Sequence, residues 1–241
     1  MCELFGLSAS QPVSAGEALG QFRLRGGPVN PDGWGIAWRE GGSFHVAKAP
    51  LPAHESEMFA MLCETACSNL MVAHVRKARF PPVKAMTNTH PFRNTCCGKE
   101  WVFAHNGLVP DVVDMQESNA VWRPSGETDS EYAFCHLLSH ISRDLERLRP
   151  HTEDAFRTLA RISEGIASHG KFNFLMSDGE YLMAYGHDRL HYIEHPGFHA
   201  CSAALIATEP LHEGWIPFEK GELRIYRQGS IAGRILTQPH E

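Results

Sequence analysis

Two long amphipathic segments lie in the middle of the chain, with groups of short apolar segments on either side. This pattern constrains the fold more than any other feature. In the first segment, Ala133, Phe134, Leu137, Leu138, Ile141, Leu145 and Leu148 recur at helical spacing along one face. Thr128, followed three residues later by Glu131, supplies a capping-box signal at its start. The second segment spans 152–168, with Phe156, Leu159, Ile162 and Ile166 turned inward and Gly170 as its stop. Upstream, 3–8, 34–39, 44–47, 70–76 and 101–105 are rich in β-branched, aromatic and aliphatic residues and read as strands. Gly26-Gly27-Pro28, Asn30-Pro31-Asp32-Gly33 and Gly41-Gly42 punctuate them as turns. Strands return at 172–176, 181–185, 190–193, 204–207 and 223–227. Apolar stripes this regular need a sheet face to cover, so the pattern predicts a layered α+β domain with helices packed on sheets. No repeat, low-complexity tract or charge run marks a linker, and 241 residues suit a single domain over 1–241.

Composition narrows the functional classes. Lys plus Arg number 22 and Asp plus Glu 28, a formal charge of −6, so the chain has no net pull toward nucleic acid or an anionic membrane. No apolar run approaches the ~20 residues that span a bilayer. The opening Met1-Cys2-Glu3-Leu4 lacks the basic segment of a secretory signal. Seven cysteines, odd in number and irregular in spacing, argue for a reducing compartment, and a cytoplasmic protein is expected.

Fifteen histidines raise the question of a metal. His136 and His140 would share a helix face, but Leu137 stands where a zinc-protease pattern requires Glu. His187, His191, His195 and His199 recur every fourth residue across Pro196-Gly197, which interrupts any helix. Cys63 and Cys67 lack a second pair at zinc spacing, and the adjacent Cys96-Cys97 suit one tetrahedral metal poorly. No metal or cofactor is expected, and a metal or redox protein is a minor reading.

The chemistry begins at Cys2. Removal of Met1 would leave its thiol beside a free α-amine. The thiolate is the attacking species; a thiol of pKa ~8.5 needs a base, and an amine of pKa ~7.7–8.0 is one. Taken alone, Cys2 also reads as a small buried apolar residue. Asn106-Gly107 follows the strand at 101–105, where an Asn amide and a Gly N–H can form an oxyanion hole. Gly would supply a left-handed turn there, although Asn-Gly is also an ordinary turn dipeptide. Arg76 ends a strand and can grip a carboxylate bidentately, or pair with a structural acid. Asp129 opens the first long helix, where an acid complements the helix dipole or receives a substrate ammonium.

In chain order, Cys2, His74-Val75-Arg76, His105-Asn106-Gly107 and Glu127-Thr128-Asp129 resemble the motifs of the class II glutamine amidotransferases, which have the N-terminal-nucleophile hydrolase fold. Asp32-Gly33-Trp34-Gly35-Ile36-Ala37, Asn88-Thr89-His90-Pro91-Phe92, the stretch 172–179 and Ala207-Thr208-Glu209-Pro210-Leu211 are similar to motifs of its small single-domain branch. The resemblance implies a four-layer αββα sandwich, two stacked and largely antiparallel sheets between helical layers. It implies that Cys2 attacks the side-chain amide of glutamine or another γ-glutamyl compound, with its own α-amine assisting proton transfer. Asn106 and the Gly107 N–H would stabilise the oxyanion. Arg76 would bind the substrate α-carboxylate, Asp129 its α-ammonium, and His105 would join them in the substrate pocket. Water would release glutamate and ammonia or an amine from the thioester.

One segment departs from the family. A Thr-His-Gly often follows the Arg; here Arg79-Phe80-Pro81, with Pro82 next, would form a stiff, partly apolar wall, a hint that the substrate is not free glutamine. A length of 241 residues is expected to leave no room for an acceptor-site domain beside the amide-cleaving module. Two enzyme readings follow: a free-standing γ-glutamyl amidohydrolase, which is slightly favoured, or a glutaminase subunit delivering ammonia to a separate synthetase. An inactive binding module is the remaining alternative, disfavoured because each chemical role has a competent residue type. Gly26, Gly27 and Gly33 are expected to hinge a loop that closes over the substrate.

Overall fold

The computed structural model describes residues 2–239 except 117, 119, 146–150 and 198–200. Met1, Leu148 and His199 lie outside the described residues, as does the side chain of Leu145. The first half runs β1 (Glu3–Ser14), α1 (Gly16–Arg25), β2 (Gly33–Glu40), β3 (Ser43–Ala49), α2 (Glu57–Thr65), β4 (Cys67–Arg76), β5 (Phe92–Cys96) and β6 (Lys99–Leu108). The helices α3 (Asp129–Leu145) and α4 (Glu153–Ala167) follow. The chain then continues through β7 (Lys171–Ser177), β8 (Tyr181–Gly186), β9 (His191–Glu194), β10 (Ala203–Ala207), β11 (Ile216–Pro217), β12 (Glu222–Arg227) and β13 (Ser230–Leu236).

The strands form two antiparallel sheets, ordered β11-β9-β10-β1-β4-β2-β3 and β13-β12-β8-β7-β6-β5. Side-chain alternation assigns the layers. On β1, Phe5 and Leu7 point outward and pack with Leu19 and Phe22 of α1 and Phe59 and Leu62 of α2. Leu4, on the other face, meets Val72 of β4 and Val102, Ala104, Leu175 and Leu182 of the second sheet. The outer face of that sheet carries Phe103, Phe172 and Phe174 against Phe134, Leu137 and Leu138 of α3 and Leu159 and Ile166 of α4. Three cores between four layers make the αββα sandwich that the resemblance implies. They also explain why these antiparallel strands read as continuous apolar runs: both faces are covered.

Several elements differ from the sequence reading. Helices α1 and α2 occupy ground that reads only as turns and loop, because each is short and buries few side chains, Leu19 and Phe22 in α1 and Phe59 and Leu62 in α2. The capping box at α3 is half formed. The Glu131 N–H donates to Thr128 Oγ1 at 3.2 Å, but the Glu131 carboxylate accepts from the Ser125 and Gly126 N–H groups and secures the preceding loop. At α4, Thr152 accepts the Ala155 N–H at 3.3 Å, as a cap should. No helix among the described residues is long and apolar enough to cross a membrane.

Candidate active site

Antiparallel pairing brings the scattered motifs to one end of the sandwich. Glu3 of β1 lies opposite Val75 of β4, so Cys2 stands beside Arg76. In the facing sheet Asn106 and Gly107 of β6 pair with Asn173 and Phe172 at the start of β7, and α3 begins nearby at Asp129. One pocket is lined by Cys2, Arg76, His105, Gly107 and Asp129, and Asn106 closes on it from behind by donating its side-chain N–H to the Cys2 carbonyl. All six residues singled out by sequence therefore converge.

Cys2 is held from several directions. Its Sγ accepts the Lys77 N–H at 3.2 Å and lies 3.4 Å from the Lys77 carbonyl. Burial raises the thiol pKa above its ordinary value, against the opposing pull of the Lys77 N–H and the Arg76 charge. The next residues are clamped by the Ala207–Leu211 motif. The Leu4 N–H donates to Thr208 Oγ1 at 3.1 Å, Thr208 donates to the Glu3 carboxylate, and Arg189 bridges Glu3 and Glu209. Asn173 fixes the opposite wall: its side chain donates to the Asn106 carbonyl at 3.1 Å and accepts N–H groups from His187, Asp188 and Arg189.

Gly107 sits within β6 rather than in a left-handed turn. A Cβ there would lie 1.8 Å from the Lys171 carbonyl oxygen and 2.6 Å from His105 Nε2, so close approach, not turn geometry, demands glycine. The His105 ring lies 3.1 Å from that same carbonyl through Nε2 and 2.8 Å from Ser130 Oγ through Nδ1. A carbonyl only accepts, so Nε2 carries the proton and Nδ1 accepts from the serine. Burial lowers the His105 pKa despite the Asp129 charge and the Lys171 carbonyl, which keeps this tautomer neutral.

Asp129 is buried and accepts the Val109 N–H at 2.7 Å and the Ser130 N–H at 2.8 Å. It fastens α3 to the segment leaving β6 while its carboxylate stays in the pocket wall. Arg76 is also buried; its guanidinium donates to the carbonyls of Val83, at 2.7 Å, and Pro81, at 3.4 Å, so it supports the loop that carries Phe80. Arg79 and Phe80, in the segment that departs from the family, line the pocket beside Lys77.

The glycines expected to hinge a lid are packing positions instead. Gly26 lies against Ala53, and a Cβ on Gly33 would touch Thr89 and the Ala49 carbonyl at 3.2 Å. A Cβ on Gly35 would stand 2.1 Å from the His90 carbonyl oxygen. The 32–37 and 88–92 motifs thus fit into each other, and Asp32 ties the first of them to the 78–84 segment. Burial opposes its ionisation, but the Ala78 N–H at 2.8 Å and Lys84 at 3.0 Å outweigh it and hold its pKa down.

His74 and His90 pack with ring centroids 4.2 Å apart and planes tilted by 36°, His90 in the pocket wall; their ring nitrogens are buried and make no well-formed hydrogen bond among the described residues, the His105 backbone giving His74 only a weak one. Burial, then neighbouring positive charge, lowers the His74 pKa to about 3, and burial with the surrounding imidazoles and cations places His90 well below its ordinary value. Both are neutral in the fold, while in the unfolded chain they gain protons below pH ~6.5. The unfolded state therefore binds more protons as pH falls from about 6.5 toward 3, and folding stability is lost over that window. Thermal unfolding at pH 7.5, 5.5 and 4 should show a falling midpoint, with a loss of several kcal/mol at the acid end; a midpoint independent of pH would contradict this.

His136 and His140 do share a helix face, with ring centroids 4.6 Å apart, but no group of three or more candidate ligands comes together among the described residues.

Residues 1–202 match the family described as glutamine amidotransferases class-II. The chain belongs to the class II glutamine amidotransferases. YafJ of Escherichia coli (strain K12), provisionally named a glutamine amidotransferase, is 34% identical over 95% of this chain and 98% of its own length. A crystal structure of a protein assigned as a glutamine amidotransferase from Pseudomonas aeruginosa PA01 superposes with a TM-score of 0.73 at 30% identity, covering 95% of this chain and 99% of that one. Glutamine phosphoribosylpyrophosphate amidotransferase from B. subtilis shares the fold at 15% identity and a TM-score of 0.70, over 98% of this chain and 49% of that one. This amidotransferase is thus an enzyme of the amidohydrolase type. Its sequence reading missed Lys77, Ser130 and Lys171, which line the pocket without a motif of their own. Asn173, Thr208 and Glu209 were visible as motif residues, but their task of fixing Asn106 and Cys2 emerges only in three dimensions.

Proposed function

We propose that this amidotransferase hydrolyses γ-glutamyl amides through a thioester on Cys2. The observation that carries the reading is the convergence of Cys2, Arg76, Asn106, Gly107 and Asp129 on one pocket from two sheets and a helix. The Cys2 sulfur attacks the amide carbon. Asn106 has two side-chain N–H groups; one serves the Cys2 carbonyl and the second, with the Gly107 N–H, receives the developing oxyanion. Arg76 and Asp129 hold the α-carboxylate and α-ammonium, and His105, neutral and tied to Ser130, shapes the wall beside Asp129. With Met1 removed, the α-amine of Cys2 takes the thiol proton, a need made sharper by the raised thiol pKa. Water then releases glutamate. We read 1–241 as one domain, because the two sheets share a single inter-sheet core. Its free cysteines support a cytoplasmic location.

Free-standing hydrolysis of a substituted amide is favoured over ammonia delivery by the pocket wall. Arg79 and Phe80, both exposed, give the leaving group a cationic and an aromatic surface that plain ammonia cannot use. Comparing kcat/KM for glutamine with a series of γ-glutamyl amides and peptides should show substituted amides preferred; glutamine ahead of all of them would reverse the choice between the two readings. Arg76→Lys keeps the charge but loses the planar fork. It should lower kcat/KM about 100-fold, chiefly through KM, because a contact to the α-carboxylate persists from ground state to transition state. A loss confined to kcat would remove Arg76 from that role.

A further inference from the structure

Against the middle of α3, at Leu138, the β5–β6 hairpin carries two adjacent thiols. Cys96 pairs with Lys99, leaving Cys97-Gly98 as a two-residue turn in which both residues are left-handed, φ 57° and 76°. Turns of this kind take Asn-Gly or Gly-Gly, because a side chain on a left-handed first residue is strained. Cysteine is a poor choice for the turn itself. Its thiol is placed 3.0 Å from that of Cys96, about 1 Å more than the length of an S–S bond. Cys97 is exposed, whereas Cys96 is buried with its sulfur 3.7 Å from the Leu138 carbonyl of α3. Both line a separate cavity of about 120 Å³ with Lys99, Trp101, His151 and Asp178, and it shares no residue with the Cys2 pocket.

We propose that Cys96 and Cys97 form a second, redox-active site that takes a low-molecular-weight disulfide. The exposed Cys97 thiolate attacks one sulfur of R–S–S–R, forming a Cys97–S–S–R mixed disulfide and releasing RS⁻, which takes up a proton. The Cys96 sulfur then attacks the Cys97 sulfur; the Cys96–Cys97 S–S bond forms, the S–S bond between Cys97 and the SR group breaks, and the Cys96 proton leaves with that group as the second RSH. Two protein thiols lose two electrons and two protons, and the small disulfide is reduced to two thiols. Burial raises the Cys96 thiol pKa, which leaves the exposed Cys97 to make the first attack. The trans peptide between the two holds their Cα atoms about 3.8 Å apart, short of the ~4.4–6.8 Å of ordinary disulfides, so the product is strained and readily reduced. The pair is a reversible site and not a structural bridge.

The full chain, equilibrated with glutathione disulfide, alkylated and mapped by mass spectrometry, tests this. The peptide containing Cys96-Cys97 should lose two hydrogens, retain no glutathione and recover its thiols with dithiothreitol. Trp101, whose indole N–H donates to the Cys96 carbonyl at 3.1 Å, should report the cycle as a reversible fluorescence change. Cys97→Ser should abolish the product, while Cys67→Ser, at another exposed cysteine, should not. Cys97→Asn should also lose it and raise the melting midpoint by about 2–4 °C, because asparagine suits the left-handed position. A stable glutathione adduct on Cys97 with Cys96 still alkylatable after denaturation, or no two-hydrogen loss, would overturn the proposal. An unchanged or lower midpoint for Cys97→Asn would overturn the view that the thiol is kept at a cost to the turn.

Discussion

Cys2→Ala should reduce glutamate release by at least about 10⁴-fold while leaving the melting midpoint close to that of the wild type. In the proposed mechanism the loss is large because the substitution removes the atom that would form the thioester; Arg76, Asp129 and the oxyanion donors would then bind a substrate that nothing attacks. Folding should be spared, since the fastenings around this residue run through backbone and neighbours. The Asn106 side chain donates to the Cys2 carbonyl, and Thr208 and Arg189 hold Glu3 and Leu4. Steady-state assay and a thermal melt on the same preparation separate the two effects. Activity within tenfold of wild type would remove Cys2 from the chemistry, whereas lost activity with a collapsed midpoint would point to a packing role.

Asn106→Ala should lower kcat by about 10²–10³-fold with little change in KM. An oxyanion exists only in the transition state and the tetrahedral intermediate, so its donor contributes little to substrate binding. The side chain also restrains the Cys2 carbonyl, and its removal frees the first residues of β1, which places the effect at the upper end of that range. Asn173 should matter through the same path: it does not itself line the pocket, yet it holds the Asn106 backbone and gathers three N–H groups of the β8–β9 turn. An Asn106→Ala enzyme with unchanged kcat and raised KM would assign the residue to ground-state binding.

The fold and the site were legible to different depths. Helices α3 and α4 stand out because together they cover one face of the second sheet, and the wide apolar stripe that each needs repeats clearly at helical spacing. Helices α1 and α2 cover little and leave Leu24, Met58 and Met61 exposed, which blurs their periodicity. The edge strand β13 alternates only weakly, and β5 carries Arg93, Asn94 and Thr95, so neither has the apolar run of a central strand. Cys2, Arg76, Asn106 and Asp129 were legible because ordered motifs carry them. What sequence could not supply was the reason for the glycines. Gly33 and Gly107 read as hinge and turn residues and Gly35 as an ordinary strand position, yet each is fixed by a neighbouring backbone or side chain from a distant segment. Long-range contact of this kind leaves no periodic trace.

The same limit applies to Cys96-Cys97. As a spacing pattern the pair is merely a poor metal site; only the left-handed turn and the 3.0 Å sulfur contact show two thiols arranged to react with each other.

The central claim is that Cys2, freed of Met1, carries the acyl group. Rapid acid quench during turnover of a γ-glutamyl amide, followed by intact mass and peptide mapping, tests it most directly. The account predicts a chain lacking Met1 that bears one glutamyl group, located on Cys2. An active chain that retains Met1, or a glutamyl group found on any other residue, would contradict it.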